Sequence, residues 1–284
     1  MEKCNRSARP LRRRWGWWLL AGALALACSS CATAPVTGRG QLRLISEAEE
    51  AQLGAQAFAQ LVAQATRQGR VISPWDPAHQ AAHTQIRAII GRLAQAADPP
   101  RRYRWEYVLV NAPETVNAAA LPGGKLIIWS GLFPVTRDEA GLATVLGHEL
   151  GHVLAHHHAE RISQQQLTGL VGAAIQAGIP ATPSGQLLSA ALGLGAEVGI
   201  LLPYSRLQES EADRIGLLLM AKAGYDPREA LALWDRMAAL PKRRGPSFLS
   251  THPSPPHRIA DLKRWLPEAL LYYQDPSRPL PGLQ

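Results

Sequence analysis

The sequence predicts an α+β fold that is mostly helical and contains one small sheet. Apolar residues recur at helical spacing over most of the chain, whereas three short runs between residues 105 and 130 alternate as strands do. The mature chain of about 250 residues has a length that suits one domain, and no internal repeat is evident.

Two helices are predicted before the sheet, over residues 46–65 and 77–97, and Pro99 and Pro100 end the second one. A Pro-Gly-Gly turn joins the last two of the three strands. The predicted strands cover residues 105–110, 116–121 and 125–130.

The next predicted helix begins near Asp138, after a capping box that opens at Thr136, and continues past Arg161. It carries the motif His-Glu-Leu-Gly-His over residues 148–152. The motif therefore lies inside a long helix rather than in a loop.

The motif predicts a catalytic zinc site. His148 and His152 lie about one turn apart on one face of the helix, so both rings can reach a single ion. Glu149 lies about 100° round the helix, where a base for a metal-bound water belongs. The chain is accordingly a candidate metalloprotease.

A tetrahedral catalytic zinc needs a third protein ligand, and we predict Glu209. Asp213 follows one turn later and is predicted to accept the free N–H of His148 or His152. Glu211 is the alternative ligand, but it lies about 200° from Glu209 round the same helix, so only one of the two can face the site.

Two further segments have less specific predictions. The histidines at 156–158 are predicted to lie at the surface or at a helix end, since the first lies one turn too far along to share the ion. Residues 167–202, rich in Ala, Gly and Leu, are predicted as two helices that cover the site, with a membrane-touching flap as the alternative. The remaining predicted elements are a helix ending at residue 240, a loop over 241–256 and a helix over 257–266.

Four blocks of sequence resemble metallopeptidase family 48, the HtpX, BepA and LoiP type, and the LoiP-like members most of all. They are the zinc motif, Glu209 to Gly216, Asn117 to Lys125, and Thr251-His252-Pro253 followed by Arg258. The resemblance implies a gluzincin (zincin-like) fold and one Zn²⁺ per chain. It implies His148, His152 and Glu209 as ligands, Glu149 as the catalyst, and unfolded or damaged envelope proteins as substrates.

The resemblance also implies roles outside the ligand set. It places the substrate-binding edge of the sheet at Asn117, Ala118, Ala119 and Leu121. His252 can occupy the open zinc position and hold the enzyme latent. Arg258 either stabilises the oxyanion or holds the loop.

The first 31 residues are predicted to be a lipoprotein signal peptide that ends in a lipobox. A basic stretch precedes a short apolar run, which is too short for a permanent membrane helix, and either Cys31 or Cys28 takes the lipid. This predicts a bacterial outer-membrane lipoprotein that faces the periplasm. The predicted division is a signal peptide over 1–31, a tether over 32–45, one zinc metallopeptidase domain over 46–270 and a tail over 271–284.

Composition excludes two other classes of function. All three cysteines lie in the leader, which leaves no thiol nucleophile and no thiolate ligand in the body of the chain. The leader also carries most of the net charge of +8, so nothing indicates a nucleic-acid partner.

The sequence therefore predicts a zinc endopeptidase that degrades unfolded or misassembled envelope proteins in the periplasm, attached to the membrane by its lipid. The alternative is a latent, zinc-bound chaperone or assembly factor. A hydrolase of small amides would use the same zinc site.

Overall fold

The structure, a computed structural model, describes residues 31–97, 103–178, 205–240, 248–252 and 257–281. Helices dominate these ranges and two small sheets accompany them, so the predicted fold class is confirmed. In chain order the elements are β1 (Cys31–Thr33), β2 (Gly40–Leu42), α1 (Glu47–Arg67), α2 (Gln80–Ala96), β3 (Glu106–Val110), β4 (Ala118–Leu121), β5 (Lys125–Trp129), α3 (Phe133–Thr136), α4 (Glu139–Leu154), α5 (His157–Gly178), α6 (Arg206–Lys222), α7 (Glu229–Ala238), α8 (Phe248–Thr251) and α9 (Arg258–Gln274).

The larger sheet has the strand order β3-β5-β4. β3 runs parallel to β5, and β4 runs antiparallel to β5, with Ala118 opposite Ile128. Gly123 and Gly124 make the turn between β4 and β5 with φ angles of 76° and 80°, a conformation in which a side chain would be strained. The predicted hairpin is present, and β4 lies at an edge of the sheet.

The two faces of this sheet pack against different helices. Val108, Val110 and Ile127 face a small apolar cluster that includes residues of α1. Leu109 and Ile128 turn to the main core, which α2, α4, α6, α7 and α9 also form. This alternation follows the two-residue period of a strand and places α4 directly behind the sheet.

Helix α4 begins where the sequence predicts, next to Asp138, but it ends earlier than predicted. Asp138 caps it by accepting a hydrogen bond from the Gly141 N–H, so the cap is not the box that opens at Thr136. It ends at Leu154 instead of continuing past Arg161, because His156 adopts a φ of 51° and turns the chain before α5. The correction matters for the site, since it changes the direction of every residue after position 155.

Helix α6 crosses α4 at a distance that only glycines permit. A Cβ atom on Gly216 would lie 2.6 Å from the backbone nitrogen of His148. A Cβ on Gly147 or Gly151 would lie 3.0 or 2.9 Å from a backbone oxygen of α6. The close crossing brings side chains of the two helices within reach of one ion.

The segment predicted as a tether, residues 32–45, is folded in part. β1 and β2 pair as an antiparallel hairpin, and Gln41 in β2 is buried, donating from Nε2 to the Ala155 carbonyl at 2.7 Å. At the other end, α9 continues past residue 270 and Leu280 is buried. Both ends of the described chain therefore pack on the domain: the first through the hydrogen bond of Gln41, and the second through the buried side chain of Leu280.

Within the described ranges, no helix has both the length and the hydrophobicity required to cross a bilayer. The predicted signal peptide up to residue 30 and residues 179–202 of the predicted covering segment lie outside the described residues. The first part of that segment, residues 167–178, belongs to α5.

Candidate functional site

Helix α4 presents its two motif histidines to a fully buried cluster. The Nε2 atoms of His148 and His152 lie 3.1 Å apart, and each residue is at most 1% exposed. The rings project from one face, one turn apart, as the sequence predicts.

The third predicted ligand, Glu209, comes from the first turn of α6. A capping box of Ser205 and Gln208 begins that helix, and the carboxylate of Glu209 is completely buried. Its Oε1 lies 3.4 Å from His152 Nε2, and its Oε2 lies 3.5 Å from His148 Nε2.

His252 brings a fourth ligand atom to the same point. Its ring stacks on Phe248, with 4.3 Å between centroids, at the end of the short helix α8. Its Nδ1 lies 3.0 Å from Glu209 Oε1 and 3.2 Å from His148 Nε2. The ligand atoms of all four residues lie within 4.8 Å of one another.

The separations of these atoms fit a tetrahedral ion. An ion with bonds of about 2.0–2.1 Å holds its ligand atoms about 3.3 Å apart. The pairwise separations given above range from 3.0 to 3.5 Å, and the full set of four ligand atoms lies within 4.8 Å. Three imidazoles with one carboxylate oxygen are a donor set that zinc accepts, so the residues fit the group that the sequence implies.

Asp213 and Arg258 hold these ligands in place. Asp213 Oδ1 lies 2.9 Å from His148 Nδ1, so of the two histidines that the sequence left open the carboxylate contacts His148. The Arg258 guanidinium donates to Asp213 Oδ2 at 2.7 Å and to Glu209 Oε2 at 2.8 Å, and it lies 3.9 Å from the Trp234 ring centroid. With Oε2 bound in this way, Glu209 keeps Oε1 for the cluster. Arg258 therefore contacts the carboxylates of Asp213 and Glu209, while its two predicted roles, stabilising the oxyanion or holding the loop, stay predictions.

Glu149 lies beside the cluster and is buried. Its Oε2 accepts a 2.6 Å hydrogen bond from the Ala120 N–H of β4, and its Oε1 lies 3.3 Å from His252 Nε2. Burial raises the pKa of Glu149 to about 7, although His252 and the Ala120 N–H act in the opposite direction. A carboxyl group with this pKa can both take up and release a proton near neutral pH.

The predicted substrate edge lies where β4 borders the site. The Asn117 carbonyl accepts a hydrogen bond from the Trp129 N–H of β5. Because such pairs alternate along an antiparallel ladder, the backbone N–H and C=O groups of Ala119 and Leu121 also point towards β5. Those of Ala118 and Ala120 point outwards, away from β5. Glu149 and the His158 ring both hydrogen-bond to the backbone of Ala120. Ala118 also faces outwards but is fully buried in the described state, and the neighbouring Val116 carbonyl accepts a 2.9 Å hydrogen bond from the Phe248 N–H of α8, so α8 lies along this edge.

The histidines at 156–158 were predicted to lie at the surface or at a helix end, and only the second of these positions is correct. His156 lies between α4 and α5, but all three residues are at most 3% exposed, so a surface position is wrong. The turn at His156 brings His157 back to His152, with 2.8 Å between their Nδ1 atoms. Ala155 and Ala159 flank the three histidines, and an apolar helix precedes them. These features could have predicted that the histidines are buried.

The alternative ligand Glu211 points away from the cluster. Its Oε2 lies 3.2 Å from His157 Nε2 and 2.6 Å from Arg39 Nη2. Arg39 and Thr37, which sequence reasoning missed, carry no motif that would have identified them. Their contacts with Glu211 join segments more than 170 positions apart in the chain.

The arrangement of a histidine pair on one helix, a carboxylate from a second helix and a buried glutamate beside them defines a metallopeptidase. A profile of Peptidase family M48 matches residues 80–266. The chain therefore belongs to peptidase family M48, and the predicted enzyme class is confirmed.

Three relatives illustrate the similarity. The mitochondrial metalloendopeptidase OMA1 of Schizosaccharomyces pombe is 42% identical over 58% of this chain and 48% of its own length. The protein of the same name from Saccharomyces cerevisiae is 33% identical over 85% of this chain and 70% of its length. The beta-barrel assembly-enhancing protease of Escherichia coli is 30% identical over 56% of this chain and 34% of its length. The chain thus spans about half the length of the first relative and less of the third.

These relatives correct the predicted location. The relatives called OMA1 are named as mitochondrial proteins, which points to mitochondria, so the prediction of a bacterial outer-membrane, periplasm-facing protein is wrong. The narrower LoiP-like assignment within the family stays a prediction. Of the two candidate lipidation sites, Cys28 lies outside the described residues, and Cys31 begins β1.

Proposed function

We propose that the protein is a zinc-dependent endopeptidase that cleaves unfolded or misassembled proteins. One observation carries the proposal: His148, His152 and Glu209 bring three ligand atoms to one buried point, with Glu149 next to them and a sheet edge alongside. The names of the relatives, which are endopeptidases and proteases, support proteolysis over the chaperone alternative.

Each residue has a defined task in this proposal. His148, His152 and Glu209 hold the ion, while Asp213 and Arg258 orient His148 and Glu209. A bound zinc ion would lower the pKa of a water molecule and polarise the substrate carbonyl.

The carboxylate of Glu149 accepts the proton of the attacking water and then passes it to the leaving amine. Burial raises the pKa of Glu149, which makes its carboxylate a better proton acceptor than an exposed one. In the described state its two oxygens are engaged with Ala120 and His252, and both partners lie at the place where substrate would enter.

The β4 edge favours extended protein substrates. Backbone pairing to an edge strand accepts almost any sequence, but it requires a chain without its own secondary structure. We place the extended chain along the outward backbone groups of Ala118 and Ala120, next to Glu149. Because Ala118 is fully buried in the described state, this pairing requires α8 to move off the strand edge. A substrate held there is selected for being unfolded rather than for a particular side chain.

His252 makes the described state a latent one. Its Nδ1 takes the fourth corner of the tetrahedron, which a catalytic zinc site keeps for water or substrate. Activity then requires His252 to leave, and the short helix α8 that carries it must shift or turn. We also propose that a lipid on Cys31 or Cys28 attaches the protein to a membrane.

The test compares the full-length wild type with Glu149→Gln for cleavage of casein and for bound zinc. We expect Glu149→Gln to keep its zinc and to lose about 100- to 10,000-fold in cleavage rate, the usual contribution of a general base. Equal cleavage by both proteins would refute the role of Glu149, and a wild type that neither binds zinc nor cleaves would refute the proposed function.

A further inference from the structure

A second histidine contacts the buried ring of the ligand His152 from behind. His157 Nδ1 lies 2.8 Å from His152 Nδ1, on the side of that ring opposite to the Nε2 atom that faces the cluster. In a continuous helix, a residue five positions on would lie about 140° round the axis and could not make this contact. The turn at His156 is what makes it possible.

The contact determines which nitrogen of each ring carries hydrogen. If His152 binds the ion through Nε2, its proton is on Nδ1, and that N–H donates to His157 Nδ1. The proton of His157 is then on Nε2, which lies 3.2 Å from Glu211 Oε2. A carboxylate only accepts, so Glu211 selects the one tautomer of His157 that leaves Nδ1 free to accept from His152.

The carboxylate of Glu211 is itself held by the N-terminal hairpin of β1 and β2. Arg39, between those strands, donates from Nε to Glu211 Oε2 at 2.8 Å, and Thr37 donates its hydroxyl to Oε1. Arg39 also donates to both oxygens of Glu160 in α5, at 2.6 and 2.8 Å. Glu160 accepts a further hydrogen bond from Gln208.

The positive charge of the Arg39 guanidinium therefore balances the negative charges of two buried carboxylates, Glu160 of α5 and Glu211 of α6. The side chains of Glu160 and Glu211 are 5% and 3% exposed, and that of Arg39 is 22% exposed. Without Arg39 the two negative charges would be left close together and poorly solvated, which is strongly unfavourable. Arg39 thus fixes the position of Glu211, and the hairpin fixes Arg39.

We propose that Arg39, Glu211 and His157 are positioning residues for the metal ligand His152, which makes the N-terminal hairpin part of the metal site. The proposal rests on the proposed function. It gives the N-terminal hairpin an indirect influence on the metal, because a change that detaches the hairpin loosens His152 through Glu211 and His157. Partners that hold metal-binding histidines in this way commonly contribute about 10- to 100-fold to metal affinity.

The test measures the metal rather than the activity. Full-length His157→Phe, Glu211→Gln and Arg39→Gln are compared with wild type for zinc affinity, by competition with a chromophoric chelator, and for the visible absorption of the cobalt-substituted protein. The matched control is Arg43→Gln, which removes an ion pair with Glu47 at 3.3 Å in the same segment without touching the chain of contacts to His152.

We expect zinc affinity to fall by about 10- to 100-fold in His157→Phe and Glu211→Gln, and less in Arg39→Gln, with a changed cobalt spectrum in each. Arg43→Gln should match wild type in both measurements. Should His157→Phe fail to fold, the volume-conserving Glu211→Gln decides the question.

Folded variants with wild-type zinc affinity and cobalt spectrum would overturn the proposal, even where urea denaturation shows them to be less stable, because that pattern belongs to a purely structural ion-pair network. The proposed function fails separately, when the wild type itself neither binds zinc nor cleaves casein. A wild type that does both, beside variants that bind zinc equally well, refutes the positioning role alone.

Discussion

Gly216 lies where α6 crosses the zinc helix α4, and Gly216→Ala is the substitution with the most direct geometric consequence. The added Cβ would lie 2.6 Å from the His148 backbone nitrogen, where ordinary contact starts at 3.4 Å. All atoms that the Cβ meets are backbone, so a side-chain rotation cannot relieve the clash. The two helices must separate by about 0.8 Å.

The separation affects both stability and metal binding. Overpacking of this kind costs about 1–3 kcal/mol, against which alanine returns up to about 1 kcal/mol in helix propensity. His148 lies on α4 and Glu209 lies on α6, so separating the two helices moves one ligand away from the other. Metal–ligand distances tolerate a change of only about ±0.2 Å. We expect zinc affinity to fall about tenfold or more, which corresponds to about 1.4 kcal/mol.

Gly91→Ala is the matched control for this prediction. Gly91 lies in α2 with nothing within 4 Å of its added Cβ, so the same change should stabilise the protein by about 0.5–1 kcal/mol and leave the metal unaffected. Urea denaturation and chelator competition measure both quantities. If Gly216→Ala matched Gly91→Ala in stability and in zinc affinity, the close crossing would not be what assembles the site.

Two further predictions concern other histidines. His252→Ala opens the fourth corner of the cluster, so casein cleavage should rise while zinc dissociates faster; a variant no faster than wild type in cleavage would contradict the latent state. Burial lowers the pKa of His83 in the folded state, so the unfolded chain binds the proton first as the pH falls below about 6.5, and stability decreases there. His83→Gln should therefore lose less stability than wild type between pH 7.5 and pH 5.5 in urea denaturation, and an equal loss would refute this contribution. Taking the difference between the two proteins removes the pH dependence of the metal site, which both share.

The helices and the edge hairpin are features that local sequence could predict. Ser46 and Glu49 form a capping box at the start of α1, and the Pro-Gly-Gly turn joins β4 and β5 in the predicted place. The prediction failed where a single residue departed from its propensity. Nothing in the letters around His156 shows a left-handed conformation, which only the contacts around it, including a 2.8 Å pairing with Glu50, stabilise.

The amino-acid sequence by itself determined the parts of the site that lie on one helix. The spacing of His148, Glu149 and His152 sets their directions, because a helix repeats every 3.6 residues whatever surrounds it. The same periodicity favoured Glu209 over Glu211, and the observed cluster contains Glu209.

Tertiary structure decided how distant residues complete the site. The family resemblance implied a role for His252, but only the structure gave its distances, the contacts of Arg258 with two carboxylates, and the part of Arg39 in the N-terminal hairpin, across separations of about 50 to more than 170 residues. Local patterns determine the phase of each helix, but they do not determine how closely two helices cross or where the chain turns back. Those quantities depend on packing over the whole molecule, and here on glycines and a strained histidine whose effect appears only when the helices meet.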